Sequence, residues 1–197
     1  MLAQKSKAEL RERYKVMRRE LFESLDMDQI TEAIAQNLDV GLSKNIINIG
    51  SYMPILGEPD PNGLRNFRPD LQWSYPVVVG ESLEFYKVPN YQRDFKPGAF
   101  GIPEPKADDS KRISINDLDC ILVPGVAFDR SANRLGQGRG FYDRALKDFK
   151  GLKVGVAYTP QILNEDLPCE DHDLSMDLIV CEDYIFGPAK GHERNLQ

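Results

Sequence analysis

The chain has 197 residues, of which 41% are hydrophobic and 28% charged, and its formal net charge is −6. This length suits one ordinary domain, and the acidic balance argues against a nucleic-acid-binding protein. No apolar run approaches the ~20 residues of a membrane helix, and the N-terminal stretch lacks the apolar core of a signal peptide. We therefore expect a cytoplasmic protein that binds neither nucleic acid nor a membrane.

Two helices are predicted at the start of the chain. Apolar residues such as Leu10 and Tyr14 recur at three- and four-residue steps over residues 4–25, which is typical of an amphipathic helix. A second helix is predicted from Asp28 to about Leu38, with Asp28 as its N-cap.

The rest of the chain alternates short apolar strands with helical segments. Strands are predicted at residues 45–53, 74–80, 83–88, 119–128, 152–158 and 177–183. Helices are predicted at residues 62–67, 139–150 and 159–166, and residues 89–118 are expected to form a long loop. Several strands are apolar on both faces, as strands covered by helices on both sides are. The pattern predicts an α/β fold with a mostly parallel sheet.

The chain offers few residues for the commonest hydrolase and metal sites. Its cysteines, Cys120, Cys169 and Cys181, form no CxxC pair, and its two histidines are His172 and His192. We expect reduced thiols. The shortage of histidine disfavours a Ser-His-Asp hydrolase and a histidine metal site.

The stretch RLGQGRGFYDR, residues 134–144, places Gly136, Gly138 and Gly140 at alternate positions between a strand and a helix. Backbone N–H groups in such a loop suit phosphate, and forked arginine donors match phosphate geometry. The arginines of this region are Arg130, Arg134, Arg139 and Arg144. The spacing differs from the dinucleotide and P-loop motifs, so by itself it leaves a plain glycine-rich turn equally open.

A longer segment, VPGVAFDRSANRLGQGRGFYDRAL (residues 123–146), resembles the signature of the 5-formyltetrahydrofolate cyclo-ligase family. Four other segments are similar to that family's pattern: KAELR (7–11), YMPILGEPD (52–60), FGIPEP (100–105) and LPCEDHDLSMDLIVCED (167–183). The resemblance covers most of the chain. It implies a three-layer α/β/α sandwich with a mostly parallel, Rossmann-like sheet, formed by residues 1–190 as a single domain with a tail at 191–197.

The resemblance also implies an activity. Family members use ATP and Mg²⁺ to close 5-formyltetrahydrofolate into 5,10-methenyltetrahydrofolate, with release of ADP and phosphate. The formyl oxygen is phosphorylated and the N10 amine then attacks the activated carbon. The implied partners are two small molecules, a reduced folate and ATP, and the implied assembly is a monomer or a weak homodimer.

By the same resemblance, particular residues take the roles of the family's site. The ATP-binding residues are Lys7, Arg11, Arg134, Leu135, Gly136, Gln137, Gly138, Arg139, Gly140, Phe141 and Tyr142. Arg134 and Arg139 are the catalytic pair, while Asp143 and Asp173 hold Mg²⁺. The folate-binding residues are Met53, Glu58 and Tyr142. Departures from the family pattern are Gln137, Arg139 in place of lysine, and Phe141 in place of tyrosine.

Two alternatives stay open at this point. The chain could bind a nucleotide or a folate without turnover, or it could be a different enzyme on a similar sandwich, such as a sugar-phosphate isomerase or a CoA transferase. ATP dependence separates such an enzyme from the ligase. A dinucleotide oxidoreductase is disfavoured because the glycine spacing does not fit.

Overall fold

The computed structural model describes residues 6–55, 57–98, 103–170 and 172–188. The helices are α1 (Lys7–Ser24), α2 (Met27–Gly41) and α3 (Phe141–Ala145), with 3₁₀ turns at Asn62–Asn66, Asp109–Lys111, Ile115–Asp117 and Thr159–Gln161. The strands are β1 (Asn48–Gly50), β2 (Gln72–Val79), β3 (Ser82–Lys87), β4 (Phe95–Pro97), β5 (Pro103–Pro105), β6 (Arg112–Ile113), β7 (Cys120–Pro124), β8 (Ala127–Asp129), β9 (Arg134–Leu135), β10 (Leu152–Val156), β11 (Ile162–Leu163), β12 (Leu178–Val180) and β13 (Ile185–Phe186).

Among these residues the main sheet has eight strands in the order β13-β12-β10-β7-β1-β2-β3-β6. The five central strands, from β12 to β2, pair in parallel, and the antiparallel pairs lie towards the two edges. The carboxyl ends of the central strands therefore meet at one edge of the sheet, which is where ligands of such folds bind. The predicted α/β class with a mostly parallel sheet is confirmed.

Helical segments cover both faces of the sheet because its strands are apolar on both sides. On one face α2 contributes Ile34 and Leu38 to a cluster with Leu122 of β7. On the other face Leu146 and Phe149, at and beyond the end of α3, belong to a second cluster. This arrangement gives the three layers that the family resemblance implies.

The first helix packs at the carboxyl edge of the sheet. Leu10 and Tyr14 of α1 join a third apolar cluster with Val126 and Leu135. Leu135 lies in β9 and Val126 immediately precedes β8, and both strands belong to a small sheet with the order β11-β8-β9. Burial of this stripe holds the polar side of α1 beside the glycine-rich stretch.

Several sequence predictions of local structure are wrong. The N-cap of α2 is Asp26, whose carboxylate accepts a hydrogen bond from the Gln29 N–H at 3.3 Å, and not Asp28. Residues 159–166 form a 3₁₀ turn followed by β11 instead of a helix. The cause is tertiary, because the Gln161 amide donates to the carbonyl oxygens of Gly125 and Val126 at 3.0 and 2.9 Å.

The segment predicted as a long loop, residues 89–118, contains regular structure. Strands β4 and β5 pair antiparallel, and β6 pairs with β3 at the edge of the main sheet. Prolines at Pro97, Pro103 and Pro105 hide this signal in the sequence, although proline is tolerated in edge strands. The helix predicted at 139–150 is also shorter and is limited to α3.

Within the described ranges, no helix has both the length and the apolar character needed to cross a bilayer. The three cysteines are free thiols; Cys120 and Cys181 are buried and Cys169 is exposed. The predicted tail at 191–197 lies outside the residues that the structure describes.

Candidate active site

Two adjoining cavities lie at the carboxyl edge of the sheet. The first, here called the helix cavity, has a volume of about 580 Å³ and lies between the start of α1, the glycine-rich stretch and the segments 168–170 and 172–173. The second, the sheet cavity, has a volume of about 590 Å³ and lies between the glycine-rich stretch, the ends of β1 and β2, and β5. Both are lined by Arg134, Gly136, Gly140 and Asp143.

The start of α1 supplies cations to the helix cavity. A capping box between Ser6 and Glu9 fixes the first turn of this helix. Lys7 and Arg11 are four residues apart and so share one helix face. The Lys7 ammonium lies 2.5 Å from a carboxylate oxygen of Asp173, and the Arg11 Nε donates to the Gly136 carbonyl oxygen at 2.9 Å.

The glycine-rich stretch requires glycine at two positions. Gly138 has a φ of +94° and Gly140 a φ of +67°, values that strain other residues. A Cβ at Gly138 would lie 3.3 Å from the Arg11 guanidinium carbon, so a side chain there would also displace Arg11. The stretch is thus shaped to bring backbone close to the cations of α1.

Arg134 anchors this stretch to the sheet. Its Nη2 lies 2.8 Å from an Asp143 carboxylate oxygen, and its Nη1 donates to the Pro124 carbonyl oxygen at the end of β7, at 3.2 Å. The side chain of Arg134 is buried, and its guanidinium carbon is 5.7 Å from the centre of the Tyr142 ring. Arg134 therefore forms the wall between the two cavities.

Asp143 and Asp173 both line the helix cavity, yet they form no cluster of three or more metal-ligating side chains with other described residues. In the described part of the chain the hydrogen bonds of each aspartate go to one oxygen only, Oδ1 of Asp143 and Oδ2 of Asp173. Burial opposes ionisation of Asp173, but the Lys7 ammonium and the Glu170 N–H outweigh it and lower its pKa. Two carboxylates beside a cavity lined by cations and glycines suit Mg²⁺, which takes one or two carboxylates together with phosphate oxygens.

The sheet cavity has mainly apolar walls around one buried carboxylate. Burial raises the pKa of Glu58, and the charge of Arg18 opposes that rise. Its Oε1 accepts hydrogen bonds from Arg18 Nη1 and Gln137 Nε2, both at 3.4 Å, and its Oε2 accepts one from the Ile55 N–H at 3.3 Å. Glu58 is therefore a fixed acceptor at the floor of an apolar cavity.

The predicted site residues divide between the two cavities. Lys7, Arg11, Leu135, Gly138 and Asp173 line the helix cavity. Met53, Glu58, Gln137, Arg139, Phe141 and Tyr142 line the sheet cavity. The four of these that were predicted to bind ATP, Gln137, Arg139, Phe141 and Tyr142, thus lie on the other side of the Arg134 wall. Arg139 is exposed there. Burial raises the pKa of Tyr142, which keeps its hydroxyl protonated.

Arg18 is the site residue that the sequence analysis missed. It occupies the next position of the buried stripe formed by Leu10 and Tyr14, where an apolar residue is expected. Besides Glu58, its Nη1 donates to the Gly125 carbonyl oxygen at 3.2 Å. A charged residue in the apolar stripe of a helix was the available signal, because a buried arginine needs a partner.

Comparison with known proteins gives the family. The model of the 5-formyltetrahydrofolate cyclo-ligase family matches residues 3–182. The chain belongs to this family. The resemblance found in the sequence is therefore confirmed over nearly the whole of the chain.

Curated relatives in three bacteria carry the same name. The 5-formyltetrahydrofolate cyclo-ligase of Haemophilus influenzae is 43% identical over 43% of this chain and 47% of its own length. The enzyme of that name in Escherichia coli K12 is 40% identical over 54% of this chain and 58% of its own length. The one in Mycolicibacterium smegmatis is 31% identical over 69% of this chain and 74% of its own length. The chain thus spans about half the length of the first curated relatives that it matches.

Solved structures cover more of the chain. It is similar to the 5,10-methenyltetrahydrofolate synthetase of Aquifex aeolicus, with 35% identity, a TM-score of 0.79 and coverage of 96% of both chains. A synthetase of the same name from Mycoplasma pneumoniae is 24% identical, with a TM-score of 0.70 and coverage of 90% of this chain and 99% of the other. The latter likeness shows the fold alone.

Proposed function

We propose that this chain is a 5-formyltetrahydrofolate cyclo-ligase that uses ATP and Mg²⁺ to form 5,10-methenyltetrahydrofolate. The observation that carries the proposal is the pair of cavities that share Arg134 and Asp143. One cavity is lined by cations and glycines, and the other by apolar groups around Glu58. Two different substrates can therefore meet at one wall.

ATP fits the helix cavity. Lys7, Arg11 and Arg134 supply positive charge there, and the glycine-rich stretch lets phosphate oxygens approach the backbone. Asp143 and Asp173 would hold Mg²⁺, which, when bound, neutralises charge on the phosphates. Because Lys7 and Arg134 already contact these aspartates, nucleotide binding redistributes existing ion pairs.

The reduced folate fits the sheet cavity. Its flat ring would lie among apolar and aromatic side chains, including Met53 and Tyr142, while its N–H donors reach the carboxylate of Glu58. A buried carboxylate that already accepts protein hydrogen bonds keeps its orientation when the ligand arrives. Orientation of this kind is what brings the formyl group to the wall shared with the nucleotide.

The chemistry needs positioning and charge neutralisation more than a dedicated base. The formyl oxygen is a poor leaving group until the γ-phosphoryl group is transferred to it and ADP departs. The N10 amine then attacks the formyl carbon, and phosphate leaves with the oxygen. Arg134 at the wall and the exposed Arg139 beside it would stabilise the charge on the transferring phosphoryl group.

The direct test mixes the purified chain with 5-formyltetrahydrofolate, ATP and Mg²⁺ and follows the near-ultraviolet absorbance of the methenyl product. We expect absorbance growth that needs both ATP and metal. In Gly138→Ala, kcat/KM for ATP should fall at least about tenfold. The matched control is Gly80→Ala, because Gly80 also has a positive φ but lies in the turn after β2, with no atom within 4 Å of its Cβ position.

Two results would overturn this function. Absorbance growth without ATP would point to another enzyme class on the same fold. An absence of growth, combined with nucleotide binding in calorimetry, would indicate a binding protein without turnover. The cytoplasmic location, the monomeric or weakly dimeric state and the single domain at 1–190 also stay proposals, which fractionation, sedimentation and limited proteolysis test.

A further inference from the structure

A third cavity, here called the strand-end cavity, lies outside the proposed active site. Its volume is about 400 Å³, and it is formed by the start of β2, the end of β3 and residues 65–70. The side chains that matter for its chemistry are Arg65, Arg68, Asp70, Trp73 and Lys87.

The strand-end cavity is positively charged in an acidic protein. The Arg68 guanidinium is paired with Asp70 at 2.9 Å, but Arg65 and Lys87 have no carboxylate within salt-bridge distance among the described residues. The lining therefore carries an excess of two positive charges, although the whole chain has a net charge of −6. Such a local field favours an anionic ligand.

Arg65 is held rigidly with donors to spare. Its guanidinium carbon lies 4.4 Å from the ring centre of Trp73 and 4.9 Å from that of Tyr91, and its Nη2 donates to the Tyr75 hydroxyl at 3.0 Å. Within the described ranges its Nη1 makes no hydrogen bond, and its buried Nε has no partner. A fork fixed between aromatic rings loses little freedom when it binds a carboxylate.

The same side of β2 connects this cavity to the sheet cavity. Trp73 lines the strand-end cavity, whereas Tyr75 and Val77, on the same face of the strand, line the sheet cavity. From Trp73 to Val77 the strand covers ~13 Å, comparable to the p-aminobenzoylglutamate part of a folate. Tyr91 stands between the cavities, since its hydroxyl contacts the Met53 sulfur at 3.4 Å and its ring contacts Arg65.

We propose that the strand-end cavity binds the carboxylates of the folate's glutamate end, with Arg65 as the main contact and Lys87 as a second, more exposed one. The inference rests on the proposed function, because it places the rest of the substrate in the sheet cavity. The glutamate end would pass over Tyr91 and meet the free Nη1 of Arg65. The reacting end of the folate stays at the wall formed by Arg134.

The test compares two substrates in two proteins. Wild type and Arg65→Met are assayed with 5-formyltetrahydrofolate and with its analogue that lacks glutamate, 5-formyltetrahydropteroate. We expect Arg65→Met to raise the KM for the folate about tenfold and to leave the KM for the pteroate and both kcat values nearly unchanged. Arg65→Lys should raise the KM for the folate less than Arg65→Met does, and Lys87→Met should also raise it less. The control is Lys147→Met, which changes an exposed lysine on the opposite side of the sheet and should leave this KM unchanged.

Other results overturn the inference. Equal loss for both substrates in Arg65→Met would mean that Arg65 acts only on the structure, through Tyr75. Calorimetry with p-aminobenzoylglutamate and with inorganic phosphate separates the two sources of an anion. If phosphate binding depends on Arg65 while Arg65→Met changes the KM of folate and pteroate alike, the cavity is a site for a free anion. The two measurements also distinguish the two proposals. A wild type without turnover in the kinetic assay defeats the proposed function. Equal binding of p-aminobenzoylglutamate to wild type and Arg65→Met in calorimetry defeats the present inference.

Discussion

The helix cavity and the sheet cavity are built from opposite kinds of interaction. In the helix cavity, Lys7, Arg11 and Arg134 are each already bound to a protein oxygen, so the site is assembled from partly exposed polar contacts. In the sheet cavity one carboxylate, Glu58, is buried among apolar walls with its donors fixed. The comparison shows that the first site is built from charged pairs whose partners a ligand would exchange, and the second from burial and fixed orientation.

The largest effect should come from the group that both cavities share. Asp143→Asn removes a carboxylate that balances Arg134 and that would hold Mg²⁺, so kcat should fall at least about a hundredfold. The measurement is steady-state turnover at saturating folate and ATP with a titration of Mg²⁺. Asp148→Asn, which changes an exposed aspartate after α3, is the control.

A variant that keeps its kcat would show that Asp143 is only the structural partner of Arg134. The wall between the cavities would then depend on the ion pair and not on a metal.

The next effect should appear in stability, through the sheet cavity. Arg18→Met leaves the buried Glu58 without its cationic partner, so the free energy of unfolding should fall by about 3 kcal/mol. Urea denaturation measures this change, with the neighbouring and exposed Arg19→Met as control. The double variant Arg18→Met with Glu58→Gln should recover part of the loss.

If the single variant is as stable as wild type, Glu58 is already neutral or well solvated. That result would remove the contrast between the two cavities.

The smallest effect should be the pH dependence of stability. Because burial raises the folded-state pKa of Glu58 above its ordinary value of 4.5, with Arg18 opposing, the folded protein binds this proton more tightly than the unfolded chain. The stabilisation from the Glu58 carboxyl group is complete below pH 4.5 and is lost as the pH rises through its folded-state pKa. Urea midpoints of wild type and Glu58→Gln, measured across that range, should therefore show wild type losing its relative stability as the pH rises.

The opposite trend, with wild type gaining on Glu58→Gln as the pH rises, would mean that Arg18 outweighs burial. The carboxylate would then behave like Asp173, whose pKa is lowered and whose contribution is lost as the pH falls.

The central strands were predictable because their signal is local. β7 lies within the predicted strand 119–128 and β10 within 152–158. Most residues of both strands are apolar and buried. The turn and edge elements were not predictable. Gln161 ends its 3₁₀ turn by reaching the carbonyl groups of Gly125 and Val126, and prolines conceal the pairing of β4 with β5.

The candidate site shows the same division. The glycine-rich stretch and its arginines stand together in the sequence, so their suitability for phosphate could be read from residues 134–144 alone. The partner of Glu58 could not be read in this way, because Arg18 lies forty residues earlier. Neither could the placement of Gln137 and Arg139 in the sheet cavity, on the far side of Arg134.

Periodicity and motif spacing therefore determined the α/β class and the glycine-rich stretch, since both depend on neighbouring residues and on backbone conformation. Packing of α1 against the edge of the sheet decided the rest. It buried Arg18 beside Glu58, brought Lys7 to Asp173 and divided one motif between two cavities. Burial and charge pairing are properties of atoms brought together from distant parts of a chain, so only the tertiary structure can set them.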